Sequence, residues 1–530
     1  MNGALKRALI LGCVVALSAP ATAFGRGFLP SLPGPRELTA LQRGPVLVQL
    51  RAGAARPAGA APIAPELRIW RVAGSALPSL LAGGAVLTAE ADRQLAPARS
   101  LDFADPLVPS EWWRAAVGAD RATPPGPGKP VTVIDSGLDF THPEFARRPN
   151  TTALNAQSTV GSEDEGHGTA VSSVIGAPVD GQGLVGIYPQ AALQSWDASA
   201  SVGEGPSLGE EIAGLHAAAK RAPGVVNVSL GSEERSPLEE EAVMAAFGAG
   251  VLVVASAGNS FETGNQPQYP ADYPHVLTVA ATNRQNQPAS FSSASLAVDL
   301  TAPGEEIPVA LPVSINATGY DVWDGTSFSA PMVSGAAAWA WTERPSLDTT
   351  QIFDVMRFSA HDVWTPGYDK DTGFGLLDVP AALARPAPPV DPQEPNEDVF
   401  LVKPGGLFVK GTTAVTAPGR PRVSLRARLD VTEDPEDIYR VFVPARKRVR
   451  VVIRPTRNAE LEVWGPSTET VSERGAARKR DLQGVSRKAA TATDSVVVAN
   501  KTGRGEIVYA DVFLAAKVLD ASYTLAVAPA

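Results

Sequence analysis

Four short segments hold the side chains of one chemistry. Asp135 lies in Val-Ile-Asp-Ser-Gly, His167 in Gly-His-Gly-Thr-Ala, Asn259 in Ala-Ser-Ala-Gly-Asn, and Ser327 in Gly-Thr-Ser-Phe-Ser-Ala-Pro. A hydroxyl is a weak nucleophile until an imidazole takes its proton. A carboxylate can orient that imidazole, and an amide N–H can meet the oxyanion that forms. Each segment also holds glycine or other small residues, where a backbone turns tightly and a substrate comes close. Taken singly, each residue has a plainer reading. Asp135 and Ser327 suit caps, His167 suits a turn, and Asn259 suits a left-handed turn position. The set, rather than any member, points to acyl transfer through a serine.

These residues need elements to position them. Val131–Ile134, Val225–Leu230, Val251–Ala255 and Val276–Ala280 are apolar runs predicted as strands. Leu208–Arg221 and Pro237–Phe247 are predicted helices between them. Apolar strands alternating with helices argue for a parallel sheet covered on both faces. Such sheets gather ligands at the C-terminal ends of their strands, and Asp135 and Asn259 fall at such ends. The uncharged, small-residue run after Ser327 predicts a buried helix with Pro331 in its first turn. Ser327 at that N-terminus would sit beside free N–H groups and a dipole that favours an oxyanion. His142, His216, His275 and His361 lack the glycine setting of His167.

Outside this region, Val46–Leu50 and Leu67–Val72 read as short strands and Pro78–Gly84 as a helix and turn, enough for a small module. Residues 385–397 read as a stiff Pro-rich linker. Beyond it, Tyr439–Val443, Val449–Ile453, Leu461–Trp464, Ser495–Val498 and Tyr523–Ala526 alternate as short strands and predict an all-β sandwich.

The 530 residues are 44% apolar and 19% charged, with 48 Gly and 47 Pro. That length implies about three folding units. Lys6 and Arg7, the apolar run Ala8 to Ala19 and the small residues Ala21-Thr22-Ala23 read as an export signal, residues 1–23. The run is too short for an anchor, and no later stretch is a membrane span. Cys13 is the only cysteine. Removal of the signal would exclude cysteine nucleophiles, cysteine-ligated zinc and haem attachment; lipidation at Cys13 is the alternative fate of the leader. Net charge is −10, yet residues 391–530 hold 22 Lys+Arg against 18 Asp+Glu, a balance of +4. This is not a nucleic-acid signature, although a basic tail permits attraction to an anionic surface. Arg446-Lys447-Arg448 reads as a solvated turn, with contact to such a surface as the alternative.

From about 106 to 384 the chain resembles the subtilisin-like serine peptidases, the subtilase family or peptidase S8. The order Asp135, His167, Ser327 carries the resemblance. So do His142-Pro143-Glu144-Phe145, Asn227-Val228-Ser229-Leu230-Gly231, Tyr269-Pro270-Ala271, Phe291-Ser292-Ser293, Ala302-Pro303-Gly304 and Gly373-Phe374-Gly375. The related sedolisins are disfavoured, because acidic residues would replace His167 and Asn259. Phe328, Ser329 and Met332 depart from the usual Met, Ala and His and read as packing changes along the helix.

The resemblance implies an α/β fold, mainly a parallel sheet with helices on both faces, and a secreted serine endopeptidase working through an acyl-enzyme. Ser327 would be the nucleophile and His167 its base and then acid. Asp135 would orient His167, and Asn259 with the Ser327 N–H would hold the oxyanion. Ser229, Leu230 and Gly231 would pair with substrate backbone as an added strand. Ala257, Gly258 and Gln268 would complete the substrate-binding set, with Gln268 at the base of the first specificity pocket. No acidic residue stands there, so broad cleavage after medium or large uncharged residues is expected.

No cofactor is needed for the chemistry. The family often binds structural calcium, and Asp180-Gly181-Gln182-Gly183 and Glu144 stand where such a site could form; two acids are few for an ion that takes six to eight oxygens. Residues 24–105 would be a pro-region that inhibits its own peptidase until cut. Residues 398–530 resemble the bacterial pre-peptidase C-terminal domain, on Asp391-Pro-Gln-Glu-Pro-Asn-Glu-Asp and Asp434-Pro-Glu-Asp-Ile-Tyr-Arg-Val-Phe-Val. Expected partners are protein or peptide substrates, with no nucleic acid and a monomeric state. The competing reading is a catalytically silent relative that binds peptides or surfaces.

Overall fold

A computed structural model describes residues 41–42, 44–92, 104–157, 163–199 and 205–530. The export signal, with Cys13, lies outside the described residues. The chain divides into two compact units, Met1–Ala98 and Arg99–Ala530.

The first unit is one antiparallel sheet and a short helix. Its strands are β1 (Pro45–Leu50), β2 (Ala61–Ala64), β3 (Ile69–Ala73) and β4 (Val86–Ala91), in the order β2-β3-β1-β4, with helix α1 at Leu77–Ala82. Val46, Val48 and Leu50 alternate along β1 and pack with Val72, Leu77 and Val86, because successive strand residues point to opposite faces. Strands β2 and β4 were not predicted from the sequence. Their Ala, Pro, Thr and Glu content gives little β signal.

The second unit begins with a seven-stranded parallel sheet. In chain order its strands are β5 (Pro130–Asp135), β6 (Thr151–Ala153), β7 (Ala192–Asp197), β8 (Gly224–Val228), β9 (Val251–Ser256), β10 (Val276–Thr282) and β11 (Val298–Pro303). In space they run β11-β10-β9-β8-β5-β7-β6, every neighbouring pair parallel. Strands β8 to β10 are buried along their whole length, which explains their unbroken apolar sequences. Helices α2 (Glu163–Gly176) and α5 (Thr326–Glu343) pack together against one side of the sheet. Helices α3 (Leu208–Ala219) and α4 (Pro237–Ala249) cover the other. Ser207 and Ser236 cap α3 and α4, and Gly250 ends α4 in the left-handed region. The chain leaves β5 for one side of the sheet and returns through β8 to build the other. The crevice at the ends of β5 and β8 is therefore a topological switch point, where α/β sheets hold ligands. A two-stranded hairpin, β12 (Ile307–Ala310) with β13 (Tyr320–Trp323), and helix α6 (Thr349–Ser359) complete this part.

The C-terminal part is a sandwich of two four-stranded antiparallel sheets. The first is built from β14 (Val423–Asp430), β16 (Arg448–Pro455), β19 (Asp494–Ala499) and β21 (Asp520–Pro529), ordered β14-β21-β16-β19. The second holds β15 (Glu436–Val443), β17 (Ala459–Trp464), β18 (Leu482–Ser486) and β20 (Glu506–Leu514), ordered β15-β20-β17-β18. Their inward residues, among them Leu429, Val441, Val451, Leu461, Val512 and Leu525, form one core. The Pro-rich stretch 385–397 is tied to this sandwich: Ile438 N donates to Asn396 Oδ1 (2.6 Å), and Arg428 N to Asp391 Oδ2 (2.9 Å). Arg357 of α6 joins the two parts, its Nε 2.9 Å from Asp299 and its Nη2 3.0 Å from Asp430. Among the described residues no helix is long and apolar enough to cross a membrane.

Candidate active site

Asp135 is the last residue of β5 and is buried. Its Oδ1 accepts the Ser136 N–H (2.8 Å) and lies 2.8 Å from His167 Nδ1. His167 sits in the first turns of α2 with its side chain 25% exposed, so the ring spans a buried carboxylate and open space. The bond at Nδ1 fixes the orientation of the ring. Glycine is required beside it: a Cβ on Gly168 would lie 2.1 Å from Gly137 O. That close approach brings the start of α2 against the turn after β5, and Gly168 N donates to Ser136 Oγ (3.0 Å).

Ser327 is the second residue of α5 and is half-buried, whereas Thr326, Phe328, Ser329 and Ala330 around it are buried. Its hydroxyl therefore faces out of an otherwise covered helix. Ser327 Oγ donates to Ser229 O (3.3 Å), and Ser229 Oγ donates back to Ser327 O (2.9 Å). This couple ties the N-terminus of α5 to the end of β8. Phe328, one residue on, packs 5.9 Å from the His167 ring, and Trp323 of β13 stacks on the same ring at 6.5 Å.

Asn259 follows β9. Its Oδ1 accepts both the Thr326 N–H (3.0 Å) and the Thr326 hydroxyl (2.9 Å). Nδ2 is turned to the other side, 3.5 Å from where a Cβ on Gly325 would stand. Asp135, His167, Asn259 and Ser327, spread over 193 positions of sequence, thus meet around the N-terminus of α5.

The expected substrate-binding residues border this point on two sides. Ser229 joins Ser327 directly. Leu230 and Gly231 run on from it, and the chain then pairs Ser232 with Tyr269 in an antiparallel bridge. Among the described residues, the backbone of Leu230 and Gly231 has no hydrogen-bonded partner, which leaves an edge for an added strand. Ala257 and Gly258 form the second border. Gly258 N donates to Thr326 Oγ1 (3.2 Å), and a Cβ on Gly258 would meet Gln268 Cγ at 2.5 Å. Gln268 therefore lies directly over that glycine. Asp272, four residues on, accepts Gln268 N (3.1 Å) and Ser295 Oγ (3.0 Å), and burial pushes its carboxyl up.

Three residues without an assigned role from the sequence help to build the site. Thr326 clamps Asn259, Ser136 holds Gly168, and Trp323 walls the imidazole. Thr326 and Ser136 stand inside segments already singled out, where a hydroxyl beside a glycine was the available signal. Trp323 carried none.

The loop Asp180-Gly181-Gln182-Gly183 does meet Glu144, but not as a calcium site. Glu144 Oε1 accepts Leu184 N (2.8 Å) and the Tyr320 hydroxyl (2.9 Å). A Cβ on Gly183 would lie 2.0 Å from that oxygen and 2.1 Å from the hydroxyl, so a phenol fills the corner. Asp180 Oδ1 is taken by Gln182 N. Burial pushes Glu144 up to about 7. A proton donor in that corner, with only the carboxylate oxygens Glu144 Oε2, Asp105 Oδ2 and nearby Glu111 Oε2 buried and unpartnered, does not fit a cation that takes six to eight oxygens. A donor set that suits a hard divalent cation lies elsewhere. Ligand atoms of Asp391, Glu394, Asp434 and Asp437 stand within 4.8 Å of one another, and Glu394 also groups with His275 and Glu397. Glu394 Oε2 and Asp434 Oδ1 are buried there without a hydrogen-bond partner, the former 3.7 Å from His275 Nε2.

Residues 126–375 match the family described as the Subtilase family. The chain is 34% identical over 254 residues to a subtilisin of Bacillus pumilus, a match covering 48% of this chain and 90% of that one. It is equally 34% identical to Subtilisin amylosacchariticus of Bacillus subtilis subsp. amylosacchariticus, of whose length it spans 65%. Among solved structures it is similar to the psychrophilic subtilisin-like protease Apa1 of Pseudoalteromonas sp. AS-11, at 20% identity and a TM-score of 0.45, covering 52% of this chain and 97% of that one. The extent of the match to the Bacillus pumilus subtilisin is decisive: the chain belongs to the subtilase family and carries its serine-endopeptidase domain.

Proposed function

We propose that this protein is an exported serine endopeptidase that cleaves peptide bonds through an acyl-enzyme on Ser327. The observation that carries the reading is the convergence at the N-terminus of α5: the bonded Asp135–His167 pair, the outward hydroxyl of Ser327, and Asn259 locked by Thr326. His167 takes the proton of Ser327 as its oxygen attacks the carbonyl carbon, and Asp135 stabilises the imidazolium. The oxyanion meets Asn259 Nδ2 and the N–H of Ser327, aided by the positive end of α5. His167 then gives the proton to the leaving amine, and water repeats the sequence on the ester. Leu230 and Gly231 bind substrate backbone as a strand, giving length recognition with little side-chain reading. With neutral Gln268 over Gly258, the first pocket accepts medium or large uncharged residues.

Residues 24–105 act as the inhibitory pro-region in this scheme. A structural divalent cation, where one binds, is held by Asp391, Glu394, Asp434 and Asp437, remote from the chemistry. Labelling with a fluorophosphonate probe tests the central claim. Wild type is expected to label and Ser327→Ala not to. A folded, mature wild type that fails to label would leave the silent, peptide-binding alternative standing.

A further inference from the structure

The outer face of the first C-terminal sheet is built mainly from arginine and small neutral residues, with its two acids, Asp430 and Asp520, opposite each other at one end and already paired with Arg357 and Arg457. Core residues alternate inward along each strand, so Arg426 and Arg428 of β14 and Arg448, Arg450 and Arg454 of β16 all point outward. Strand β21 runs between them. Its register sets Thr524 opposite both Arg426 and Arg454, Ser522 opposite Arg428 and Ala528 opposite Arg450. The positions between the arginines are Ser424, Val452, Ala526 and Ser495. Neighbouring strands are about 4.8 Å apart and alternate residues about 6.6 Å apart along a strand, which spaces these cations roughly 7–13 Å from one another.

This is a sorted surface. The outer face of the second sheet carries Glu436, Glu460, Glu462 and Asp511, and Arg478 and Arg487 are paired with the two central glutamates there. On the first sheet, by contrast, Arg426, Arg448 and Arg454 have no acidic partner among the described residues, and Arg450 reaches only Ser495 Oγ (3.3 Å). Spacing near the Debye length of about 8 Å means that their fields add rather than cancel. One end of the face opens into a cleft of about 800 Å³ against the peptidase part, lined by Arg385, Arg426, Arg428, Arg454 and Phe358. Arg428 and Arg385 lie over the Phe358 ring at 5.1 and 5.6 Å. Asp354 and Asp391 also line the cleft; Asp354 is bonded to the Arg428 side chain, and Asp391 accepts the Arg428 N–H at Oδ2 while its Oδ1 is buried on the side of Glu394, Asp434 and Asp437.

We infer that this face and its cleft bind a linear acidic polysaccharide. Guanidinium forks match carboxylates with two parallel hydrogen bonds, and a chain of uronate sugars presents carboxylates and hydroxyls to the alternating arginine and Ser/Thr rows. The same face argues against the other polyanions. It offers no exposed aromatic for base stacking, since of the two rings lining the cleft Phe358 is covered by arginines and Tyr523 is buried. It carries no helix for a groove and, with Val390 the single exposed apolar side chain lining the cleft, no cluster of apolar or aromatic anchors for a bilayer. Binding here would hold the peptidase on an acidic matrix through its C-terminal part while leaving the crevice at the ends of β5 and β8 open.

The test is binding of the full chain to labelled polygalacturonate and to the same polymer after methyl esterification, at low and raised salt. Expected is salt-sensitive binding of the acidic form only, weakened at least about tenfold in Arg426→Gln/Arg450→Gln/Arg454→Gln. Arg474→Gln, away from the face, should leave it unchanged, and hydrolysis of a short peptide should be unaltered in all variants. If the triple variant does not fold, Arg454→Gln alone carries the comparison. Equal binding of the esterified polymer, or binding unmoved by loss of the arginines, overturns the inference. Arginine-dependent binding that is tighter to an oligonucleotide or to phosphatidylglycerol vesicles than to polygalacturonate overturns the choice of polysaccharide.

Discussion

Asn259 shows how a single side chain is given one orientation. Thr326 occupies its carbonyl oxygen twice, so rotation of the amide would break both bonds and bring two like groups together. The donor is thus fixed before substrate arrives, and a preorganised donor needs no rearrangement as charge develops. Removing one such donor costs about 10²–10³ in turnover. Asn259→Ala is therefore expected to lower kcat by that order with folding intact. A loss below about tenfold in steady-state assays would remove Asn259 from the oxyanion site.

At the scale of elements, the site depends on how closely α2 approaches the turn after β5. Gly168 lies directly against the Gly137 carbonyl, and its N–H holds Ser136 Oγ. Alanine at 168 has no room, so the start of α2 must shift and carry His167 away from Asp135. A misplacement of about 1 Å costs roughly 10² in rate. Gly168→Ala is expected to lose at least that much kcat and to label slowly with a fluorophosphonate, while its circular dichroism stays native. Full activity would show that the approach is looser than the contact requires. The same reasoning explains Phe328. It stands where the family more often has Met, and it packs on His167 without touching the chemistry.

At the scale of the molecule, buried charge links the peptidase part to the sandwich. Arg357 is 2% exposed and holds Asp299 and Asp430 on opposite sides of that junction. Removing one partner of a buried ionic cluster strands the others and typically costs about 3–5 kcal/mol. Arg357→Ala should lower stability by that order in urea unfolding, measured on a Ser327→Ala background to prevent autolysis. Little change would mean that other contacts, the Arg428–Asp354 pair among them, hold the junction. A second buried carboxyl sets a pH dependence. Burial pushes Glu111 from 4.5 up to about 8, against the pull of an Arg114 guanidinium 3.9 Å away. A carboxyl whose folded pKa is raised favours the fold fully below its unfolded value, and that contribution is lost as pH rises from 4.5 through about 8. Glu111→Gln should flatten this slope, read as the urea midpoint at about pH 5 against about pH 9. An unchanged slope would assign the dependence to other groups.

Much of this was legible along the chain. Apolar runs placed β5, β8, β9 and β10, because strands buried on both faces must be apolar throughout. Glycine beside Asp135, His167, Asn259 and Ser327 marked close approach, because only glycine permits it. The edge strands β6 and β18 and the long strand β20, with Asp511 and Glu506 among its residues, gave weaker patterns, because pairing and neighbouring side chains decide those strands rather than local preference. Only the tertiary structure could bring Trp323 onto His167, lock Asn259 through Thr326 and fill the Glu144 corner with the Tyr320 hydroxyl. Those contacts join residues far apart in sequence, and no local pattern records which distant side chain will arrive. The arginine face is the same case at larger scale. The tail's charge balance is only +4, and the pairing of β14, β21 and β16 is what collects five arginines on one side, with Asp430 and Asp520 confined to one end of it and both paired.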